Sequence, residues 1–100
     1  MKIPLFTKVR KWGRDRQIND AKAQFCHIVE ELGETATELN RNRLNSKAME
    51  DSVGDVMVCI IVFADIIGLD AEDCLALAYR EIKNRDGKII NGNFVKSSDL

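Results

Sequence analysis

The sequence predicts an all-α protein, a four-helix bundle that self-associates and ends in a short non-helical tail or hairpin. Apolar residues recur at helical spacing in four stretches, and the only proline stands at position 4, which leaves the helices joined by short breaks. The third stretch is apolar on every side beyond Asp55, from Val56 to Ala64 and again at Ile66 and Ile67. A helix that is apolar all round must be covered all round, and three short partners leave part of it for another copy of the chain. One hundred residues make one small domain with a modest core, here a single helical domain over 1–100 with its core at about 5–85 and a tail over 86–100.

Each element follows from local chemistry. Leu5, Val9 and Trp12 lie at i, i+4, i+7 and predict a first helix ending near Arg16. Asn19 or Asp20 caps the second, in which Phe25, Ile28, Val29, Leu32, Ala36 and Leu39 form an apolar stripe down to about Arg41. Gln24, His27, Glu31, Glu34 and Glu38 line another face of that helix. A polar connection, Asn40-Arg41-Asn42-Arg43 and Asn45-Ser46, leads to a third helix from about Lys47 to Ile67. Gly68 suits the C′ position after it. Asp70, with Asp73 three residues on, caps a fourth helix whose inner stripe is Ala71, Cys74, Leu75, Ala78 and Ile82. Past Arg85 the helical pattern stops, and Asn91-Gly92 between short apolar runs fits either a small hairpin or a docked irregular tail.

Composition excludes several classes. A net charge of −1 gives no bulk attraction to a nucleic-acid polymer. Cys26, Cys59 and Cys74 are odd in number, contain no C-x-x-C and fall inside helices, so they read as small core residues in a reducing compartment. The longest apolar run, Val56 to Ala64, is too short to span a bilayer, and no continuous apolar leader precedes it; a cytoplasmic protein with no membrane partner is expected. No phosphate-binding glycine-rich loop and no Ser/His/Asp set occurs.

The chemistry lies in two acidic clusters. Glu30, Glu31 and Glu34 sit at helical neighbour spacing on the second helix, and Asp51 and Asp55 at i, i+4 on the third. Like charges so spaced destabilise a bare helix, whereas a hard divalent cation, Mg²⁺ or Mn²⁺, is bound by such oxygen-rich clusters. Asp55 shares a face with Val58 and Val62, so its charge is expected to be partly buried and in need of a partner. A di-iron bundle is the wrong match: it needs Glu-x-x-His on two helices, and the one histidine, His27, precedes Glu31.

The order Glu30-Glu31-Leu32-Gly33-Glu34, then Asp51-Ser52-Val53-Gly54-Asp55 about twenty residues later, resembles the E-E-x-x-E and G-D signatures of the all-α nucleoside triphosphate pyrophosphohydrolases, the MazG-like superfamily. The ending, Tyr79 to Lys88 and Gly92 to Lys96, is similar to that of small single-domain MazG-like proteins of phage and bacteria, so the resemblance covers about Trp12 to Asp99. It implies Mg²⁺-dependent cleavage of a nucleoside triphosphate between the α and β phosphorus atoms, giving monophosphate and pyrophosphate. It also implies Glu31, Glu34, Asp51 and Asp55 as metal ligands and Glu30 as ligand or water-orienting base. Lys83, Arg85, Lys88 and Lys96 are expected on the triphosphate, Trp12, Gln24 and His27 at the nucleoside end, and a homodimer or homotetramer as the assembly. One departure bears on catalysis: where the superfamily carries Glu three residues before the final Asp, this chain has Ser52, with Asp51 one position earlier. The alternative is therefore a catalytically weakened module of the same fold that binds nucleotide or metal and regulates.

Overall fold

The computed structural model describes residues 2–41 and 46–100. Four helices, α1 (Leu5–Asp15), α2 (Ala21–Asn40), α3 (Lys47–Ile66) and α4 (Ala71–Ile82), are followed by an antiparallel hairpin of β1 (Gly87–Ile90) and β2 (Asn93–Lys96) and a 3-10 turn at Ser97–Asp99. The helical class and the element boundaries agree with the sequence reading. Of the polar connection between the second and third helices, 42–45 lie outside the described residues.

The ends form where the local chemistry directs them. The Asp20 carboxylate accepts from Ala23 N, Ser46 Oγ from Met49 N, and Asp70 from Glu72 N and Asp73 N, so three helix starts have orphan donors satisfied by side chains. After α3, Gly68 adopts φ +81°, Leu69 N donates to Ala64 O at 2.8 Å and Gly68 N to Asp65 O at 3.1 Å. These two bonds make a Schellman close, which a glycine at C′ permits without a Cβ clash. The hairpin, one of the two alternatives for the tail, turns on Asn91 and Gly92, both at positive φ, as a tight two-residue connection requires.

The core sits between α2, α3 and α1. Ile28, Cys59, Ile61, Val62 and Ala64 are buried, with Val62 only 2 % exposed. Gly13 on α1 lets the backbone close onto Val62: a Cβ there would stand 3.2 Å from both valine methyls. Arg14 then ties α1 to α3 by a bidentate pair, Nε to Asp65 Oδ2 at 2.8 Å and Nη2 to Oδ1 at 2.6 Å. Arg10 reaches Asp70 at the start of α4, at 3.5 Å.

Three expectations about burial are corrected. On α2 the apolar stripe does not line the protomer's core: Phe25, Val29, Leu32, Ala36 and Leu39 are exposed, and only Ile28 is buried. The side pressed against α3 carries Gln24, Ile28, Glu31, Thr35 and Glu38. On α4 the inner stripe is uncovered too, with only Ala71 half-buried, because the chain bends by 105° between α3 and α4 and carries α4 off the other helices. The radius of gyration, 16.4 Å, exceeds the roughly 13 Å of a compact chain this long. Cys26 and Cys74 are exposed, not core residues; Cys59 alone is buried. No single helix among the described residues is long and apolar enough to cross a membrane.

Candidate functional site

The inward side of α2, the middle of α3 and the end of α1 border an open cleft of about 260 Å³, lined by Trp12, Gln24, His27, Glu31, Asp55 and Cys59 together with Ile18, Val58 and Val62. Helical spacing places these groups. His27 and Glu31 are one turn apart on α2, with His27 Nε2 3.6 Å from Glu31 Oε1. Asp55 and Cys59 are one turn apart on α3 and face them. Gln24 is buried, and its Nε2 donates to the Cys59 carbonyl at 3.1 Å, which sets the register between the two helices.

Glu31 is the electrostatic centre. Burial lifts its carboxyl above the usual value of 4.5; the negative charges of Glu34 and Asp55 and a hydrogen bond shared with Glu34 add to the lift, and His27 opposes it. The Cys59 thiol is pushed up as well, first by burial and then by Glu31 and Asp55. Glu31 thus bears the charges of a carboxylate on its own helix and of one on α3. This donor set of oxygens fits a hard divalent cation, whose charge offsets theirs.

The other sequence candidates distribute unevenly. Glu34 lines an adjoining cavity with Thr37, Glu38, Ala48 and Ser52, so the serine, at the position where the resembled motif carries Glu, faces the Glu34 side of the site. Asp51 is exposed and holds Lys47 at 2.6 Å, outside the residues that line either cavity. Glu30 is exposed, and it too lines neither cavity. Asp55 proves exposed instead of partly buried, because the space between it and α1 is an open hollow lined by Lys8, Val9 and Trp12. Lys83, Arg85, Lys88 and Lys96 stand exposed at the end of α4 and along the hairpin, and none of them lines the carboxylate cleft. Lys96 lies 4.0 Å from Asp99.

Trp12, Gln24 and His27 do meet the acidic residues in one cleft. Arg16 lies over one face of the Trp12 ring, its guanidinium 4.6 Å from the ring centroid, which leaves the other face for a ligand. Sequence reasoning passed over Cys59. The available signal was its place four residues after Asp55, which puts both on one helix face. Comparison with known protein families, curated proteins and solved structures finds no match to this chain.

Proposed function

We propose that this chain is a Mg²⁺-dependent nucleoside triphosphate pyrophosphohydrolase of the MazG-like type, acting as a homo-oligomeric four-helix bundle. The observation that carries the reading is half-buried Glu31 on α2, acted on by the charges of Glu34 on its own helix and Asp55 on α3, in the wall of a cleft that also holds Trp12. Order and spacing of the two motifs supply the rest.

In this reading Glu31, Glu34 and Asp55 hold the cation, and Glu30 and Asp51 complete its surroundings. A bound Mg²⁺ supplies charge neutralisation on the phosphate oxygens and a water made more acidic. The protein's own part is positional. Glu31, half-buried in the cleft wall, would fix the cation's place against the phosphates, and Glu30 would orient the attacking water. Trp12 offers a ring face to a base, and Gln24 and His27 offer polar contacts at the same end of the cleft. The basic residues of α4 and the hairpin, Lys83, Arg85, Lys88 and Lys96, reach a triphosphate only after the assembly brings them to a cleft.

That assembly follows from the uncovered apolar surface. Phe25, Val29, Leu32, Ala36 and Leu39 repeat at alternating spacings of four and three, the pattern of a helix–helix seam, and all are exposed. Leu75 and Tyr79 on α4 are 62 % and 59 % exposed. Surfaces of this size on a small soluble chain mark self-association.

The test is pyrophosphate release from a panel of ribo- and deoxyribonucleoside triphosphates with Mg²⁺. Glu34→Ala or Asp55→Ala is expected to remove turnover with far-UV helicity intact, and EDTA to abolish wild-type activity. Full activity in either variant refutes the reading. A second reading, a binding or regulatory module with weakened catalysis, is favoured by one observation: Ser52 lines the Glu34 cavity while Asp51 pairs with Lys47. Nucleotide binding without pyrophosphate release identifies it.

A further inference from the structure

We propose that the cleft also carries a transition-metal site, with His27, Glu31 and Cys59 as its protein ligands and an ion of the Zn²⁺ class as its occupant. An imidazole nitrogen, a carboxylate oxygen and the Cys59 sulfur all lie within 4.8 Å of one another. A tetrahedral Zn²⁺ holds such atoms about 3.3–3.6 Å apart, as its bond lengths to nitrogen, oxygen and sulfur dictate. His27 Nε2 and Glu31 Oε1, at 3.6 Å, already meet that spacing. The remaining closure is side-chain rotation, for which the half-exposed His27 ring has room.

The donor set decides the class of ion. Mg²⁺ takes oxygen ligands and leaves thiols and imidazoles alone, whereas mixed nitrogen, sulfur and oxygen sets select Zn²⁺, Co²⁺ and their neighbours. Three protein ligands with an open cleft in front of them match a site that keeps one position for water. The surroundings are built as such sites are. The buried Gln24 amide clamps the Cys59 carbonyl at 3.1 Å and fixes the backbone that carries the sulfur, and Asp55 lines the same cleft as an outer carboxylate. Cys26 and Cys74 lie outside the cluster. Glu31 belongs to both donor sets, so a Zn²⁺ held here withdraws it from Glu34 and competes with a hard cation at the same carboxylate.

The test is titration of the full, reduced, chelator-treated chain with Co²⁺, read by absorption. A sulfur-to-cobalt charge-transfer band in the near ultraviolet, with visible bands of four-coordinate strength, is expected at one equivalent, surviving a thousandfold excess of Mg²⁺ and bleached by Zn²⁺. Cys59→Ser should lose the charge-transfer band, with folding checked by far-UV circular dichroism. His27→Ala, a surface change that the fold tolerates, should weaken binding at least tenfold, and Cys26→Ser and Cys74→Ser should leave the band intact. A band that persists in Cys59→Ser, that is lost in Cys26→Ser or Cys74→Ser, that Mg²⁺ displaces, or that never forms overturns the proposal, as does unchanged affinity in His27→Ala. The readout is binding, so it stands or falls separately from pyrophosphohydrolase activity.

Discussion

Glu31→Gln separates an acidic cluster that awaits a cation from a merely solvated helix face. In the metal-free protein Glu31 faces the charges of Glu34 and Asp55, and its carboxyl is lifted above 4.5, first by burial and then by those neighbours. Each like-charge contact of this kind costs about 0.2–0.5 kcal/mol, so removing one charge from two contacts returns about 0.4–1 kcal/mol. For a chain of this length that is roughly 2–8 °C in Tm. Glutamine keeps the shape and can donate to Glu34, replacing the shared hydrogen bond.

The pH dependence has a definite sign. A carboxyl whose folded-state pKa is raised binds more protons folded than unfolded, so its adverse contribution is absent below 4.5 and grows as pH rises through the raised value. Thermal melts in EDTA should therefore show the variant more stable than wild type at pH 8, and the gap closing toward pH 4. With Mg²⁺ at a hundred times its dissociation constant the order reverses, because wild type gains about 2.7 kcal/mol from binding and the variant much less. A Glu31→Gln protein that melts below wild type in EDTA at pH 8, or that gains as much from Mg²⁺, refutes the cluster.

Further outcomes follow from named contacts. Ser52→Glu adds a carboxylate beside Glu34 and should tighten Mg²⁺ binding about tenfold by calorimetry while lowering Tm in EDTA; unchanged affinity would show that this position does not face the ion. The Asp65 carboxyl is held below its usual 3.8 by the Arg14 hydrogen bonds, with burial working against them. Its stabilisation is thus complete above about pH 4 and lost as pH falls through the depressed value. Arg14→Met should therefore be less stable than wild type in urea at pH 6, and the difference should shrink by pH 2.5. Leu32→Glu, on the exposed α2 stripe, should abolish the proposed self-association in size-exclusion chromatography with light scattering; a wild-type monomer at micromolar concentration would refute the seam. Gly87→Ala should melt the hairpin selectively, since a Cβ there meets the Val95 carbonyl oxygen and the Phe94 ring, and amide exchange at Ile89 and Phe94 would report it.

Helix ends were legible because they are local. Asp20, Asp70 with Asp73, Gly68 and Asn91-Gly92 act within a few residues, and each performs the role that its chemistry prescribes. The facing of α2 was not legible. Gln24, Ile28, Glu31, Thr35 and Glu38 repeat at spacings of four and three, and so do Phe25, Val29, Leu32, Ala36 and Leu39, one residue later. The two stripes lie about 100° apart, and periodicity cannot say which one packs within the chain. Apolarity favoured the second, yet a contact made only in tertiary structure, the Gln24 amide on the Cys59 carbonyl, accompanies the packing of the first. Asp51 shows a local pairing that the sequence also offers: Lys47, at i−4, holds it at 2.6 Å.

That sidedness has a functional consequence. A 20-residue helix that turns carboxylates toward its partner within the protomer and leucines outward keeps its chemistry and its candidate interface on different faces. Half-burying Glu31 near the charge of Asp55 adds repulsion to a chain with few buried side chains among the described residues, so the protomer has little stability to offset it by itself. Two external sources can offset the repulsion: a cation in the cleft, which acts directly on the charges, and a second copy on the apolar seam, which adds buried area without touching them. The two contributions act on different faces of α2 and should therefore add. Mg²⁺ should raise Tm by a similar increment in wild type and in a folded Leu32→Glu protein, and an increment abolished by Leu32→Glu would place the carboxylate site across the interface.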